Sequence, residues 1–232
     1  MLVMPANSTG WFWTSLARET GRIGHLYSPG GKATPRPWFP YAIDCGVYAC
    51  WDQTTNTIDM ERWEKQEREW RRLLFWAQSV QYKAKWAIVP DVPGNAKATV
   101  AQWPQYAPTV ERAGIPLAVA VQDGMTPDDV RALAPAPVVV CVGGSTDWKW
   151  HTAEMWLAEF PRVHVLRCNI PERLYWLEER GCESTDGTGW NRGNRAQTEG
   201  VEAWARSKPS PSLEPLWPHT CRESKTPWQL SL

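Results

Sequence analysis

Short apolar runs alternate with longer amphipathic segments along most of the chain. Runs at Leu2 to Met4, Ile23 to Tyr27, Tyr41 to Ile43, Trp86 to Val89, Pro116 to Val121, Val138 to Val142, Val163 to Leu166 and Cys182 to Thr185 read as eight strands. Several are continuous Val/Ile/Ala stretches without polar alternation, which predicts parallel strands covered on both faces. Helical patterns lie between them. The clearest spans Glu61 to Val80, where Trp63, Trp70, Leu73, Leu74 and Ala77 recur on one face while Glu61/Lys65, Glu64/Arg68 and Glu67/Arg71 form i,i+4 pairs elsewhere. Further helices are expected over Ala96 to Ala113, Pro127 to Leu133, Trp148 to Phe160, Pro171 to Arg180 and Gly193 to Arg206.

Strand and helix in alternation define the α/β class, and eight such units in 232 residues, slightly below the roughly 250 typical of the closed form, favour a (β/α)8 TIM-like barrel over an open doubly wound sheet. Residues 1–206 are expected to form this single domain. Residues 207–232 are rich in Pro and Ser and lack periodicity, so they read as an irregular tail that Trp217 and Trp228 dock onto the barrel or offer to a partner.

Composition narrows the function classes. Lys plus Arg equals Asp plus Glu at 25 each, so no whole-molecule field draws the chain to a polyanion, and nucleic-acid binding would use a local patch. No segment approaches the roughly 18 apolar residues of a membrane span, and residues 1–13 lack a secretory signal, so the expectation is a soluble, cytoplasmic protein without a membrane partner. The six cysteines include no CxxC, which argues against a zinc ribbon; Cys45, Cys141, Cys168 and Cys182 read as small buried hydrophobes. The 17 tryptophans suit cores and stacking platforms equally well.

In a parallel barrel, chemistry belongs where strands end, because the following loops converge on one mouth. Polar residues fall there in series. Asp44 follows the third strand, Asp91 the fourth and Gln122 the fifth; Gly143 and Gly144 follow the sixth, Arg167, Cys168 and Asn169 the seventh, and Asp186 closes the eighth. Any one of them has an ordinary explanation, since Asp and Asn favour turns and caps and Gly supplies positive φ. Their recurrence on consecutive strands is not explained that way. Three carboxylates at one mouth permit a division of labour between a charged nucleophile and a proton carrier, as in glycoside chemistry. Glutamine, aspartate and backbone N–H groups nearby suit the edge of a purine, which points to a nucleoside. The histidines are scattered, and His164, inside an apolar strand, reads as structural.

These elements, in this order, resemble the tRNA-guanine transglycosylase superfamily, which exchanges guanine for a 7-deazaguanine across an N-glycosidic bond. Ile-Asp-Cys-Gly-Val-Tyr at 43–48 is similar to that family's Asp-Ser-Gly-Gly-Phe element, with Cys45 and Val47 as departures. Asp91 matches its base-reading aspartate, Ala-Val-Gln-Asp-Gly at 120–124 its Val-Gln-Gly-Gly element, Val-Gly-Gly at 142–144 its Gly-Gly loop, and Asp186 its nucleophile. Pro-Asp-Val-Pro-Gly at 90–94, Val-Gly-Gly-Ser-Thr-Asp-Trp-Lys at 142–149 and Ser-Thr-Asp-Gly-Thr-Gly-Trp at 184–190 look like the branch that places 7-deazaguanines in DNA, found in phages and mobile elements. The resemblance covers about Gly21 to Arg206 and lacks the tRNA enzymes' zinc site.

The resemblance implies a covalent aspartyl-glycosyl intermediate on Asp186, proton handling by Asp44, and base recognition by Asp91, Gln122 and the backbone of Gly143 and Gly144. It implies DNA as the polymer, with tRNA as the alternative, a preQ0-like base as co-substrate, and no metal or cofactor. A target base inside a duplex would have to be flipped out. Tyr48, Trp51, Trp148 and Trp190 are the aromatics expected near the mouth, and Arg192 and Arg195 the expected phosphate contacts. Hydrolysis of the intermediate, or a noncatalytic base-binding module, are the competing functions.

Overall fold

The computed structural model describes residues 1–8, 10–31, 36, 39–55, 57–191 and 195–208. Ten strands and seven α-helices follow the chain among these residues. β1 (Leu2–Pro5) leads into α1 (Trp11–Thr20), then β2 (His25–Tyr27) and β3 (Tyr41–Ile43). A 3-10 turn at Val47–Cys50 and a small antiparallel hairpin, β4 (Trp51–Asp52) with β5 (Thr57–Ile58), precede α2 (Met60–Ser79). Regular alternation resumes with β6 (Ala87–Ile88), α3 (Ala96–Arg112), β7 (Leu117–Val121), α4 (Pro127–Arg131), β8 (Val139–Val142), α5 (Thr146–Glu159), β9 (Val163–Val165), α6 (Glu172–Glu179), β10 (Ser184–Gly187) and α7 (Arg195–Ser207).

Eight of the strands form one parallel sheet in the order β1-β10-β9-β8-β7-β6-β3-β2. Val3 and Ala6 bridge Ile23 and Leu26 in parallel, which joins the two edge strands and closes the barrel. The seam is sewn by Val3 N–H to Arg22 O at 2.9 Å, Gly24 N–H to Val3 O at 2.9 Å and Asn7 N–H to Leu26 O at 3.0 Å. Gly24 is required there: a Cβ would sit 2.6 Å from the Pro40 carbonyl oxygen. The (β/α)8 architecture and all eight expected strands are present, so the α/β reading holds.

Local chemistry explains the helix starts. Asp59 caps α2 by accepting from Arg62 N–H, Asn95 caps α3 from Ala98 N–H, Thr126 and Asp129 form a capping box on α4, and Ser145 caps α5 from Trp148 N–H. Two elements depart from expectation. α1 was not anticipated, because the consecutive aromatics Trp11, Phe12 and Trp13 mask its period; Trp13, Leu16, Ala17 and Thr20 nonetheless share the buried face, and Gly21 ends the helix at φ 66°. The β4–β5 hairpin was also not anticipated; it is too short for a hydrophobic pattern to form.

Cys45, Cys141, Cys168 and Cys182 are buried free thiols. α7 is fastened to the end where strands begin. Arg22, 1% exposed, stacks on Trp204 at 3.7 Å, donates to the carbonyls of Trp204 and Lys208, and pairs with Glu178. Beyond Lys208 the tail, with Trp217 and Trp228, lies outside the described residues. No described helix is long and apolar enough to cross a membrane.

Candidate active site at the barrel mouth

The loops at the carboxyl ends of the strands surround a cavity of about 940 Å³. Asp44, Asp91, Gln122, Gly143, Gly144 and Asp186 all line it, as do Tyr48 and Trp51. They reach it from the ends of β3, β6, β7, β8 and β10 or from the loops that follow, so residues up to 142 positions apart meet because parallel closure brings these strand ends to one rim.

Asp186 sits in β10, 4% exposed. Its Oδ1 accepts from the backbone N–H of Arg167 at 2.8 Å and lies 3.3 Å from Nε2 of His164. Asp44, one residue past β3, accepts from Ser28 Oγ at 2.7 Å. Burial raises its pKa above the ordinary carboxylate value, and the negative charge of Asp186 raises it further, against the lowering pull of Ser28 and the backbone at Gly46 and Cys45. Asp44 is therefore biased toward holding a proton.

Asp91 and Gln122 form a continuous polar chain. Gln122 Nε2 donates to Asp91 Oδ2 at 2.6 Å, Gly94 N–H donates to Gln122 Oε1 at 2.9 Å, and the Cys45 thiol donates to Asp91 Oδ1 at 3.4 Å. Burial, followed by the charge of Asp44, pushes Asp91 up to about 7. Near neutral pH it can present either a donor or an acceptor. Cys45, expected to be only a small hydrophobe, is also a hydrogen-bond donor lining the cavity.

The glycine pair divides into two roles. The N–H of Gly143 donates to Val121 O at 3.1 Å, so the sheet ladder uses it and it is not available to bind a base carbonyl. This corrects the expectation that both backbone N–H groups face the ligand. Gly144 has φ 71°, and a Cβ there would lie 2.2 Å from Asp123 Oδ1 and 2.8 Å from Trp148, so the close approach of these loops depends on glycine.

Arg167 is the cation among the described lining residues. Its backbone is left-handed at φ 56°, and its guanidinium donates to Gly144 O and lies 4.6 Å from the Tyr48 ring. The turn is braced from behind by the buried Lys149, whose Nζ donates to Leu166 O at 2.7 Å and approaches Arg167 O at 3.4 Å. Desolvation lowers Lys149 to about 8.

The remaining aromatic and basic candidates separate. Tyr48 is 44% exposed and packs on Trp51 at 5.6 Å, which keeps both at the mouth. Trp190 is 2% exposed, so its ring faces cannot receive a base, and it is a core residue. Trp148 does not line the cavity; it is half-buried against Trp156 at 6.3 Å. Arg195 also lies off the cavity, exposed and paired with Glu199 at 2.6 Å on its own helix. Arg192 lies outside the described residues.

Sequence reasoning missed Ser28, His164 and Lys149 and gave Arg167 no role. His164 is fully buried, as expected, but it faces Asp186. Parallel register pairs His164 with Ser184, and Ser184 and Asp186, two residues apart in β10, share that face. Among the described residues, no three His, Cys, Asp or Glu side chains gather as metal ligands.

No family model matches this chain, and no curated protein does. A solved 3-keto-L-gulonate-6-phosphate decarboxylase from Vibrio cholerae is similar at 12% identity, with 78% of this chain and 74% of that chain covered and a TM-score of 0.40.

Proposed function

We propose that the chain is a DNA guanine transglycosylase, exchanging guanine in DNA for a preQ0-like 7-deazaguanine. The observation that carries this reading is the pairing of a nucleophile-like Asp186, held by the Arg167 N–H, with Asp44, whose pKa burial and Asp186 itself raise. That asymmetry is what a double displacement at a sugar carbon needs, since one carboxylate attacks charged and the other arrives protonated.

In the first half, Asp186 attacks C1′ of the target deoxyguanosine. The C1′–N9 bond breaks, its electron pair passes to N9, and Asp44 gives N9 its proton. Guanine leaves and the 7-deazaguanine takes its place. In the second half, Asp44 takes the N9 proton of the incoming base, N9 attacks C1′, and the electron pair of the ester bond returns to Asp186. Both carboxyls end as they began, so the cycle balances without a metal or cofactor.

The Asp91–Gln122 chain suits the purine edge. Each already has two protein partners, which fix its orientation while leaving lone pairs and one amide hydrogen for the base. Unpaired buried polar groups are costly, so a base lacking the matching donors should be rejected strongly. Tyr48 and Trp51 offer apolar faces for a nucleotide drawn out of a duplex. With Arg167 as the cation among the described lining residues, the salt dependence should be shallow. The motifs resembling the DNA branch favour DNA over tRNA.

The test is to incubate the protein with guanine-containing DNA and preQ0, digest to nucleosides, and measure deazaguanosine by mass spectrometry, with tRNA in parallel. Product in DNA is expected. Product in tRNA alone overturns the polymer, abasic sites overturn exchange in favour of hydrolysis, and base binding without turnover overturns catalysis.

A further inference from the structure

His164 is a buried polar group in contact with Asp186 that the scheme above does not use. Its ring is 0% exposed, with Nε2 3.3 Å from Asp186 Oδ1, Nδ1 2.8 Å from Ser184 Oγ, and an edge against Trp86 at 4.7 Å between centroids. We infer that His164 is a positioning residue for Asp186: it holds Oδ1 from inside the barrel, so that Oδ2 is the oxygen presented to the sugar. The inference rests on the reading of Asp186 as the nucleophile.

The placement follows from sheet geometry. His164 pairs with Ser184 in parallel register, and Ser184 and Asp186, two residues apart, point to the same face of β10. One imidazole therefore spans both side chains. The tautomer follows from the partners. A carboxylate is acceptor-only, so the nitrogen facing Asp186 must carry a proton, and in the neutral ring Nδ1 then accepts from the Ser184 hydroxyl. The opposite tautomer would set a lone pair against a carboxylate oxygen.

Oδ1 also receives the Arg167 N–H at 2.8 Å, whereas Oδ2 accepts no hydrogen bond among the described residues. The two oxygens are thus unequal before substrate arrives. When the ester forms, Oδ2 bonds C1′ as the C1′–N9 bond breaks. When it is resolved, the returning electron pair leaves a carboxylate whose charge the His164 and Arg167 N–H groups stabilise. Donors fixed in advance on Oδ1, the ester carbonyl oxygen that shares the regained charge by resonance, are the arrangement expected to speed that step.

Other charged and titratable groups bear on this pair from each neighbouring element. Asp44 reaches Asp186 from β3, Cys141 from β8, Lys149 from α5, and Cys168 and Arg167 from the turn after β9; Glu183 reaches His164 from β10. These stay constant across substitutions at position 164, so a change in Asp186 titration there reports the His164 contact.

The experiment combines NMR with kinetics on the full chain. In protein with ¹⁵N-histidine and ¹³C-aspartate, the His164 ring should carry its proton on Nε2 at neutral pH. The Asp186 carboxyl should titrate at higher pH in His164→Leu than in wild type, and His164→Gln, whose amide can donate from a similar position, should restore it. Exchange should fall about 10²-fold in kcat for His164→Leu, with little change in KM for the base, and recover most of the loss in His164→Gln. A ring protonated on Nδ1 alone, or an Asp186 midpoint unmoved by His164→Leu, overturns the positioning role even if exchange stands. The expected NMR result in a wild-type protein without exchange keeps the His164–Asp186 pair and overturns the transglycosylase reading instead. If His164→Leu does not fold, the wild-type tautomer and the glutamine variant decide.

Discussion

Where the strands begin, Arg22 is paired with Glu178 and Arg162 with Glu183; where they finish, Asp44, Asp91 and Asp186 share a cavity in which Arg167 is the lining cation. The same fold therefore buries charge in two ways. At the first end each of these cations meets a carboxylate. Burial raises the Glu183 pKa, but the hydrogen bond and charge of Arg162 outweigh it and hold that carboxyl below its usual range. At the second end the carboxylates face one another, and burial with mutual repulsion raises Asp44 and Asp91. Pairing at one end favours stability; the carboxylate cluster at the other costs stability and is the arrangement the proposed chemistry would use.

Substitutions should separate the two ends. The largest effect is expected for Asp186→Asn, which removes the attacking oxygen's charge: exchange should fall by roughly 10⁴-fold or more, about 5 kcal/mol in the barrier, with the urea midpoint kept or raised. Retention of exchange would remove Asp186 from its role. Next is Arg22→Met, which strands Glu178 and removes the stack on Trp204. Unfolding in urea should show a loss of about 3–5 kcal/mol, while the exchange rate per folded molecule stays near wild type.

Asp91 should couple the site to stability through pH. Its folded-state pKa, about 7, lies above the unfolded value, so the folded protein holds this proton more tightly, and the Asp91 contribution is complete below pH 4 and lost as pH rises toward 7. The loss is on the order of 4 kcal/mol. Asp91→Asn should flatten this slope in urea titrations between pH 4 and pH 8 and weaken base binding. An unchanged slope would mean that Asp91 ionises normally in the folded protein. The smallest effect belongs to Arg195→Ala. With its side chain 90% exposed and paired along its own helix, the urea midpoint should stay at the wild-type value and exchange should move by less than about two-fold.

How much of this could be read from sequence follows from what each signal depends on. The eight strands were readable because burial on both faces leaves unbroken apolar runs such as Val138 to Val142, and chain order alone then assigns parallel neighbours. α1 was not, since Trp11, 80% exposed, and Phe12 sit beside the buried Trp13 and blur its period. Asp44, Asp91, Gln122 and Asp186 were readable because strand ends are countable. His164 was not, because a polar residue inside an apolar strand gives no sign of which cross-strand atom it meets. Trp190 failed in the opposite direction: proximity to Asp186 in sequence suggested the mouth, yet its ring turns into the core. Gly143 was placed correctly but its N–H was already committed to Val121, a fact of register rather than of composition.

The central claim is that Asp186 forms a covalent ester with the sugar of the target nucleotide. Its most direct test is intact-protein mass spectrometry after incubation with a guanine-containing single-stranded oligonucleotide and no incoming base, followed by peptide mapping. The account predicts an adduct equal to the oligonucleotide less guanine, mapped to Asp186 and absent from Asp186→Asn. An adduct on another residue, or exchange that proceeds undiminished in Asp186→Asn, would contradict it.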